Sequence, residues 1–395
     1  MNKNLVKLTI LLSASMTIMA GATIAPSLPQ MKVVFNHIPN AEFIIKLVLT
    51  LPSLFIAFAA PFAGYIIDRL GRKKLLLFSL LLYAIAGTSG LYLNNLLSIL
   101  IGRALLGVSV AGIMTTATTL IADYYTGTER HKMMGLQGAF MAFGGVVFIC
   151  FGGCLADISW RMPFIVYAFS LIVFLLVLKF IYEPKRIIKD TQNNALKIST
   201  KKRFSKKLYI LYFVGFIGFI FYFMIPVEIP FLLNDLGSIS NTKIGYSISI
   251  SILAGAIVAL NYSKIKIKLS YPVIYTIIFC LMCIGFLIIS FSKTYLLILT
   301  GLMIQGAGFG ILMPNTNSWI VALAPKHLRG RLIGNLSTAV YLGQFLSPVL
   351  IQPLINFKSI NFSFGFAGII LFIIASGFLL FSVCKKTPIT ALRSS

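Results

Sequence analysis

GYIIDRLGRKK, Gly64 to Lys74, is the stretch whose reading decides the fold. One apolar run, Phe43 to Tyr65, leads into it, and another, Leu75 to Leu93, leaves it. Each is long enough to cross the roughly 30 Å hydrocarbon core of a bilayer as a helix. Between them stand one acid, four bases and one glycine, too few residues for a domain and too much charge for a membrane interior. The segment reads as a tight basic turn between two spanning helices, on the side where Lys and Arg accumulate.

The rest of the chain has the same character. Of its 395 residues, 58% are hydrophobic and only 11% charged, with a mean hydropathy of +0.94. A soluble domain needs more charged surface than that, so the class is an all-α, multi-pass membrane protein. A membrane β-barrel would show short alternating segments, whereas these runs are long and continuous. Twelve of them read as helices, near 5–27, 43–66, 75–93, 96–121, 133–156, 163–182, 208–233, 243–263, 270–290, 294–322, 331–355 and 362–384. The first has a basic start and a small-residue end, as signal peptides do. Its apolar character continues to Ile24, so it is read as a retained helix.

The net charge of +25 suggests nucleic acid until the charges are placed. Most of the 34 Lys and Arg fall at the two termini and in every second loop. That asymmetry puts both termini in the cytoplasm, with the basic collars against anionic lipid headgroups. No aromatic residues interleave with the bases, so nucleic acid is excluded as a partner. The five cysteines all lie in apolar runs. Cys280-Leu-Met-Cys283 has no second pair or His to complete a metal site, and no metal or cofactor is expected.

The chain also repeats. A single offset of 199 pairs Gly102 with Gly301, Gly107 with Gly306, Arg130 with Arg329, Gly135 with Gly334 and Gly144 with Gly343. The apolar pattern stops between Glu183 and Lys207. The organisation is therefore 1–183, a six-helix bundle; 184–207, a basic linker; and 208–395, a second six-helix bundle. Two related bundles around a midplane site are the architecture of alternating access. The second half lacks the charged turn: Ser263, Ile267 and Tyr271 stand where Gly64, Asp68 and Arg72 would repeat.

Several residues are candidates for chemistry. Arg103 sits inside an apolar run and requires a partner, since a buried Arg costs about 2.5–3.5 kcal/mol on insertion scales. Glu228, in MIPVEIP, is an acid within a span, flanked by Pro226 and Pro230. Those prolines are expected to break the helix and free carbonyls, as where a helix lines a cavity. Glu228 lies close enough to the helix end for two placements to stay open, one in a cavity and one snorkelling to the interface. Gln137, Gln305, Asn315, Asn317, Tyr341 and Gln344 are polar candidates for a solute cavity. Interhelical hydrogen bonding is the alternative for each.

The spacing of Gly64, Asp68, Arg69, Gly71, Arg72 and Lys73 resembles the G-x-x-x-D-R-x-G-R-K loop between helices 2 and 3 of the major facilitator superfamily. The resemblance implies two six-helix bundles in pseudo-symmetry. It also implies that Asp68 faces the amino-terminal end of helix 11 and that Arg72 pairs with Asp123, together latching the cytoplasmic side. Gly64 and Gly71 would then permit close helix approach. Arg103 with Gly107 resembles the R-x-x-x-G motif of helix 4 in proton-linked members, although Leu106 replaces the usual Gln. Gly152 and Gly153 match the closing pair of the exporter motif G-P-x-x-G-G in helix 5. Phe148 and Ile149 stand where its Gly-Pro is expected, and Gly144 and Gly145 add to the small-residue face. SWRMPF, Ser159 to Phe164, is similar to drug-efflux members.

These features imply a monomeric secondary transporter of a bacterial plasma membrane. It would export a small organic solute, a drug or metabolite, in exchange for protons, with Arg103 or Glu228 coupling the two. An exporter of an anionic metabolite, siderophore or sugar is the alternative; a transport-inactive receptor and a multi-span enzyme are more remote. His37, His131 and His327 all lie in loops without paired acids, which argues against an enzyme.

Overall fold

The computed structural model describes residues 3–184, 206–237, 239–325 and 328–384. Among them, twelve helices are long and apolar enough to cross a membrane. They are α1 (Lys3–Val34), α2 (Ala41–Leu70), α3 (Arg72–Tyr92), α4 (Leu96–Tyr124), α5 (Gly127–Ile158), α6 (Met162–Phe180), α7 (Lys207–Asp235), α8 (Asn241–Leu260), α9 (Tyr271–Phe291), α10 (Tyr295–Leu323), α11 (Arg329–Phe357) and α12 (Ile360–Val383). Helices suit this sequence because each satisfies its own backbone hydrogen bonds, which lipid cannot do.

The quoted turn is shorter than expected. α2 runs on to Leu70 and α3 begins at Arg72, so the connection is Gly71 alone, at φ 91° and ψ 163°. Asp68 and Arg69 are therefore helical residues rather than loop residues. The proline pair of α7 is a second departure: the helix is continuous from Lys206 to Asp235 through Pro226 and Pro230. Neighbouring helices support a proline-bearing span without a break. α10 does break, at Ile311, between Tyr295–Gly310 and Leu312–Leu323. There Gly310 is pressed against Gly255 of α8.

α1 to α6 pack on one another, as do α7 to α12, giving two six-helix bundles. Within the bundles α2 lies along α4, α7 along α11, and α9 along α10 and α12. The bundles meet chiefly through α2 with α11 and α5 with α8, with smaller contacts of α1 on α7 and α8. Small residues set the approach at these seams. A Cβ on Gly153 of α5 would stand 2.7 Å from the Asn241 carbonyl oxygen of α8, and one on Gly245 of α8 2.9 Å from that of Ile149. Gly107 packs on Pro52 and Phe55 of α2, and Gly144, Gly145 and Gly152 pack on Ser15, Ile18 and Thr23 of α1. The expected linker, 184–207, lies mostly outside the described residues.

The seams tighten toward one side. We call the side bearing Gly71, Pro184 and Lys207 the linker face. On the opposite face, Asp157 at the end of α5 accepts hydrogen bonds from the Asn241 and Thr242 amides of α8, at 2.7 and 3.1 Å. Toward the linker face the contrast is sharp: a Cβ added to Gly64, Gly135, Gly138, Gly330 or Gly334 would meet nothing within 4 Å. The expected close approach at Gly64 is absent because the two bundles stand apart there. The protein is closed on the opposite face and open on the linker face.

Candidate functional site

A chain of charges runs inward from the opposite face, and the sequence reading had left most of it unassigned. Lys32, half-exposed on the last turns of α1, pairs with Glu42 Oε2 at 2.6 Å. Glu42 Oε1 accepts from Lys46 Nζ one helical turn along α2, at 2.9 Å. Lys46 also meets Glu228 Oε2 of α7 at 2.7 Å and donates to Gln352 Oε1 of α11 at 2.8 Å. Of the ammonium's three donors, two are matched by hydrogen bonds to Glu42 and Gln352, and the Glu228 carboxylate adds an ion pair. Gln352 is held in turn by Asn356 Oδ1, to which its Nε2 donates at 2.9 Å. The Phe231 ring lies 5.0 Å from Lys46 Nζ.

Burial makes this pair consequential. The side chains of Lys46 and Glu228 are 0% and 1% exposed, against 23% for Glu42 and 51% for Lys32. Of the two placements open for Glu228, the structure has the buried one, between the bundles. Lys46 lies inside the Phe43–Tyr65 run, whose apolar character hides a single base near its start. The signal available was local: Glu42 and Lys46 stand four apart in a helix, where opposite charges meet. Nothing local pointed to Gln352.

Arg103 is placed differently. It is fully buried in α4, its Nε donates to the Val48 carbonyl of α2 at 2.8 Å, and its Nη2 to the Ala20 carbonyl of α1 at 2.6 Å. Its guanidinium also lies 5.2 Å from the Tyr167 ring. It pairs with no carboxylate among the described residues. Arg103 ties three helices of one bundle together instead of facing the seam.

The charged turn has one surprise. Arg72 Nε donates to Asp123 Oδ2 at 3.0 Å, joining α3 to α4. Asp68 makes no hydrogen bond or ion pair among the described residues, so it does not face the start of α11 here. That follows from the open linker face. Glu183, just after α6, takes the anion's place at a helix start: it accepts from the Arg72 and Lys73 amides at 2.7 and 2.8 Å. Carboxylates are favoured there by the helix dipole and the unpaired amides. Lys73 Nζ donates to the Leu178 carbonyl at 2.8 Å, and Arg69 lies over the Tyr65 ring at 4.6 Å.

The polar cavity candidates divide by bundle. Gln344 and Tyr341 of α11 cross the seam: Ser53 of α2 donates to Gln344 at 2.8 Å, and Tyr341 donates to Met114 Sδ of α4 at 3.2 Å. Gln137 of α5 reaches Thr118 of α4 at 3.5 Å. Gln305 is enclosed within the second bundle and accepts from Ser251 at 3.0 Å. Asn315 is buried there too, accepting from Tyr262 at 3.2 Å and donating to the Tyr271 carbonyl. Asn317 keeps a buried Oδ1 without a hydrogen-bond partner among the described residues. A stacked pair, Tyr222 of α7 and Phe309 of α10, lies 3.6 Å apart in the same bundle.

Comparison with known proteins agrees with this architecture. The family model of the Major Facilitator Superfamily matches residues 10–265 and again 211–394. Multidrug resistance protein 2 of Bacillus subtilis (strain 168) is 27% identical over 347 residues, covering 85% of each chain. Quinolone resistance protein NorA of Staphylococcus aureus (strain COL) is 22% identical over 316 residues, covering 75% of this chain and 77% of NorA. Among solved structures, a D-xylose–proton symporter superposes with a TM-score of 0.79 at 16% identity, covering 95% of this chain and 96% of the symporter. A bacterial homologue of the human lysosomal transporter Spinster, inward-facing and occupied, gives 0.74 at 14% identity, with 96% of each chain covered. With two six-helix bundles meeting at a polar seam, and with family matches spanning both, this chain belongs to the Major Facilitator Superfamily.

Proposed function

We propose that this protein is a secondary exporter of small organic solutes, working by alternating access in exchange for protons. It sits in a bacterial plasma membrane, as a monomer, with the linker face and both termini in the cytoplasm. The relatives named for multidrug and quinolone resistance support the substrate class. The observation that carries the coupling is the buried Lys46–Glu228 pair, which spans both bundles at the closed face. An exchanger must hold its unloaded form in place and release it when loaded. A carboxylate bound across the seam does the first, and its protonation does the second. The turn of Asp68, Arg72 and Asp123 latches the linker face in the other half of the cycle. One proton moving down 100 mV supplies about 2.3 kcal/mol, enough for roughly 50-fold solute accumulation.

Arg103 is the less suited coupling group, because its Nε and Nη2 donate to carbonyls of its own bundle and it pairs with no carboxylate among the described residues. Counterflow in proteoliposomes, with a drug and metabolite panel and with or without a pH gradient, tests the reading. Glu228→Gln is expected to transport at a rate independent of the gradient. An unchanged gradient response in that variant removes Glu228 from coupling.

A further inference from the structure

We infer that Glu42 is the partner to which Lys46 is handed when Glu228 takes up a proton, so that the opposite face opens without stranding a bare ammonium. This rests on the reading of Glu228 as the proton site. The two ends of the Lys46–Glu228 pair are unequal. Neither Glu228 oxygen has a hydrogen-bond partner among the described residues, and Lys46 is the cation that pairs with its carboxylate. Lys46 has a second acid on its own helix, Glu42, one turn away at 2.9 Å. When α2 and α7 separate, Lys46 loses Glu228 and Gln352 but keeps Glu42.

Glu42 can accept that role because its other cation can let go. Lys32 is 51% exposed, so water can take over its ammonium, whereas Lys46 at 0% has no water to turn to before the seam opens. The four ion-paired residues are balanced, two acids against two bases, and a proton on Glu228 leaves one excess positive charge among them. The handoff places that excess on Lys32, at the water, rather than on Lys46, between the bundles. Burying an unpaired charge is the costly alternative. The other groups facing Glu228 do not compete. α11 presents the uncharged Gln352 and Asn356, and Asp235 at the end of α7 is exposed and shares the field of Lys32, Glu42 and Lys46.

The test reads opening directly and needs no substrate. Leu97 and Leu296 begin α4 and α10 on the opposite face, stand 199 apart in the repeat and are 65% and 73% exposed. Spin labels on Leu97→Cys and Leu296→Cys, in the full chain with its native cysteines replaced, report the separation of the bundles as the pH is lowered from about 8 to 5. The parent protein is expected to pass from a short to a long distance. Glu42→Gln should need at least ten times more protons, a midpoint lower by one pH unit or more. Glu42→Asp keeps the charge but withdraws the carboxylate by one methylene, and should shift the midpoint the same way. Lys46→Met should show the long distance at every pH. A parental midpoint in Glu42→Asp means that Glu42 acts only through its charge, and the handoff falls. A surviving pH transition in Lys46→Met also overturns it. Loss of proton-driven flux with these distance shifts intact would instead sink the export reading and leave the handoff standing.

Discussion

At the scale of single residues, the decisive fact is that Lys46 and Glu228 neutralise each other out of reach of water. Removing one partner of such a pair leaves a charge in a poor solvent, a loss of about 3–5 kcal/mol in buried pairs of soluble proteins, whereas replacing both with apolar groups is often neutral. Lys46→Met is therefore expected to lower the thermal unfolding temperature in detergent, and Lys46→Met with Glu228→Met to recover most of it. Additive losses in the double variant would show that the pair does not act as a unit. Arg103 illustrates the opposite use of a buried charge: its Nε and Nη2 donate to carbonyls of α2 and α1, and it holds one bundle together. Both bases stand within apolar runs of the sequence, Lys46 four residues from Glu42 and Arg103 with no acid nearby. What they touch separates them.

At the scale of elements, the junction of α2 and α3 depends on one glycine. Gly71 has φ 91°, a backbone conformation that residues with a side chain rarely adopt, and a Cβ there would stand 2.8 Å from Glu183 Oε1. Strain of that kind costs on the order of 1–3 kcal/mol. Gly71→Ala should also push Glu183 off the two amides it caps, so its unfolding temperature is expected to fall further than that of Glu183→Gln. Equal falls would mean that the cap accounts for the whole effect and the backbone is unstrained. The charge motif was readable in the sequence, down to the Arg72–Asp123 pair. That Asp68 and Arg69 belong to a helix was not, because helix 2 could end anywhere between Tyr65 and Gly71 on hydropathy alone.

At the scale of the whole molecule, the glycines sort into two sets by depth. Gly144, Gly145, Gly152 and Gly153 are packed against neighbours, while Gly135, Gly138, Gly330 and Gly334 face open space at the linker face. In alternating access, the second set must come together when the linker face closes. Gly135→Leu and Gly334→Leu are therefore expected to leave the unfolding temperature unchanged and to reduce solute flux at least tenfold, because only the closed linker face lacks room for the added side chain. Gly153→Leu, pressed on the Asn241 carbonyl, should lose stability as well. Stability loss at Gly135 or Gly334 would show that the resting protein is not open on that side.

The division between sequence and structure follows from the range of each signal. Hydropathy and basic loops are properties of short windows, and a constant repeat offset comes from comparing such windows along the chain; together they determined twelve spans, two halves and a charged turn. Lys46 and Gln352 are 306 residues apart, and no window contains both. Which polar groups cross the seam, which face is closed and which acid answers Lys46 depend on how two bundles dock. Only the tertiary structure decides that, since docking brings together side chains whose local surroundings carry no mark of one another.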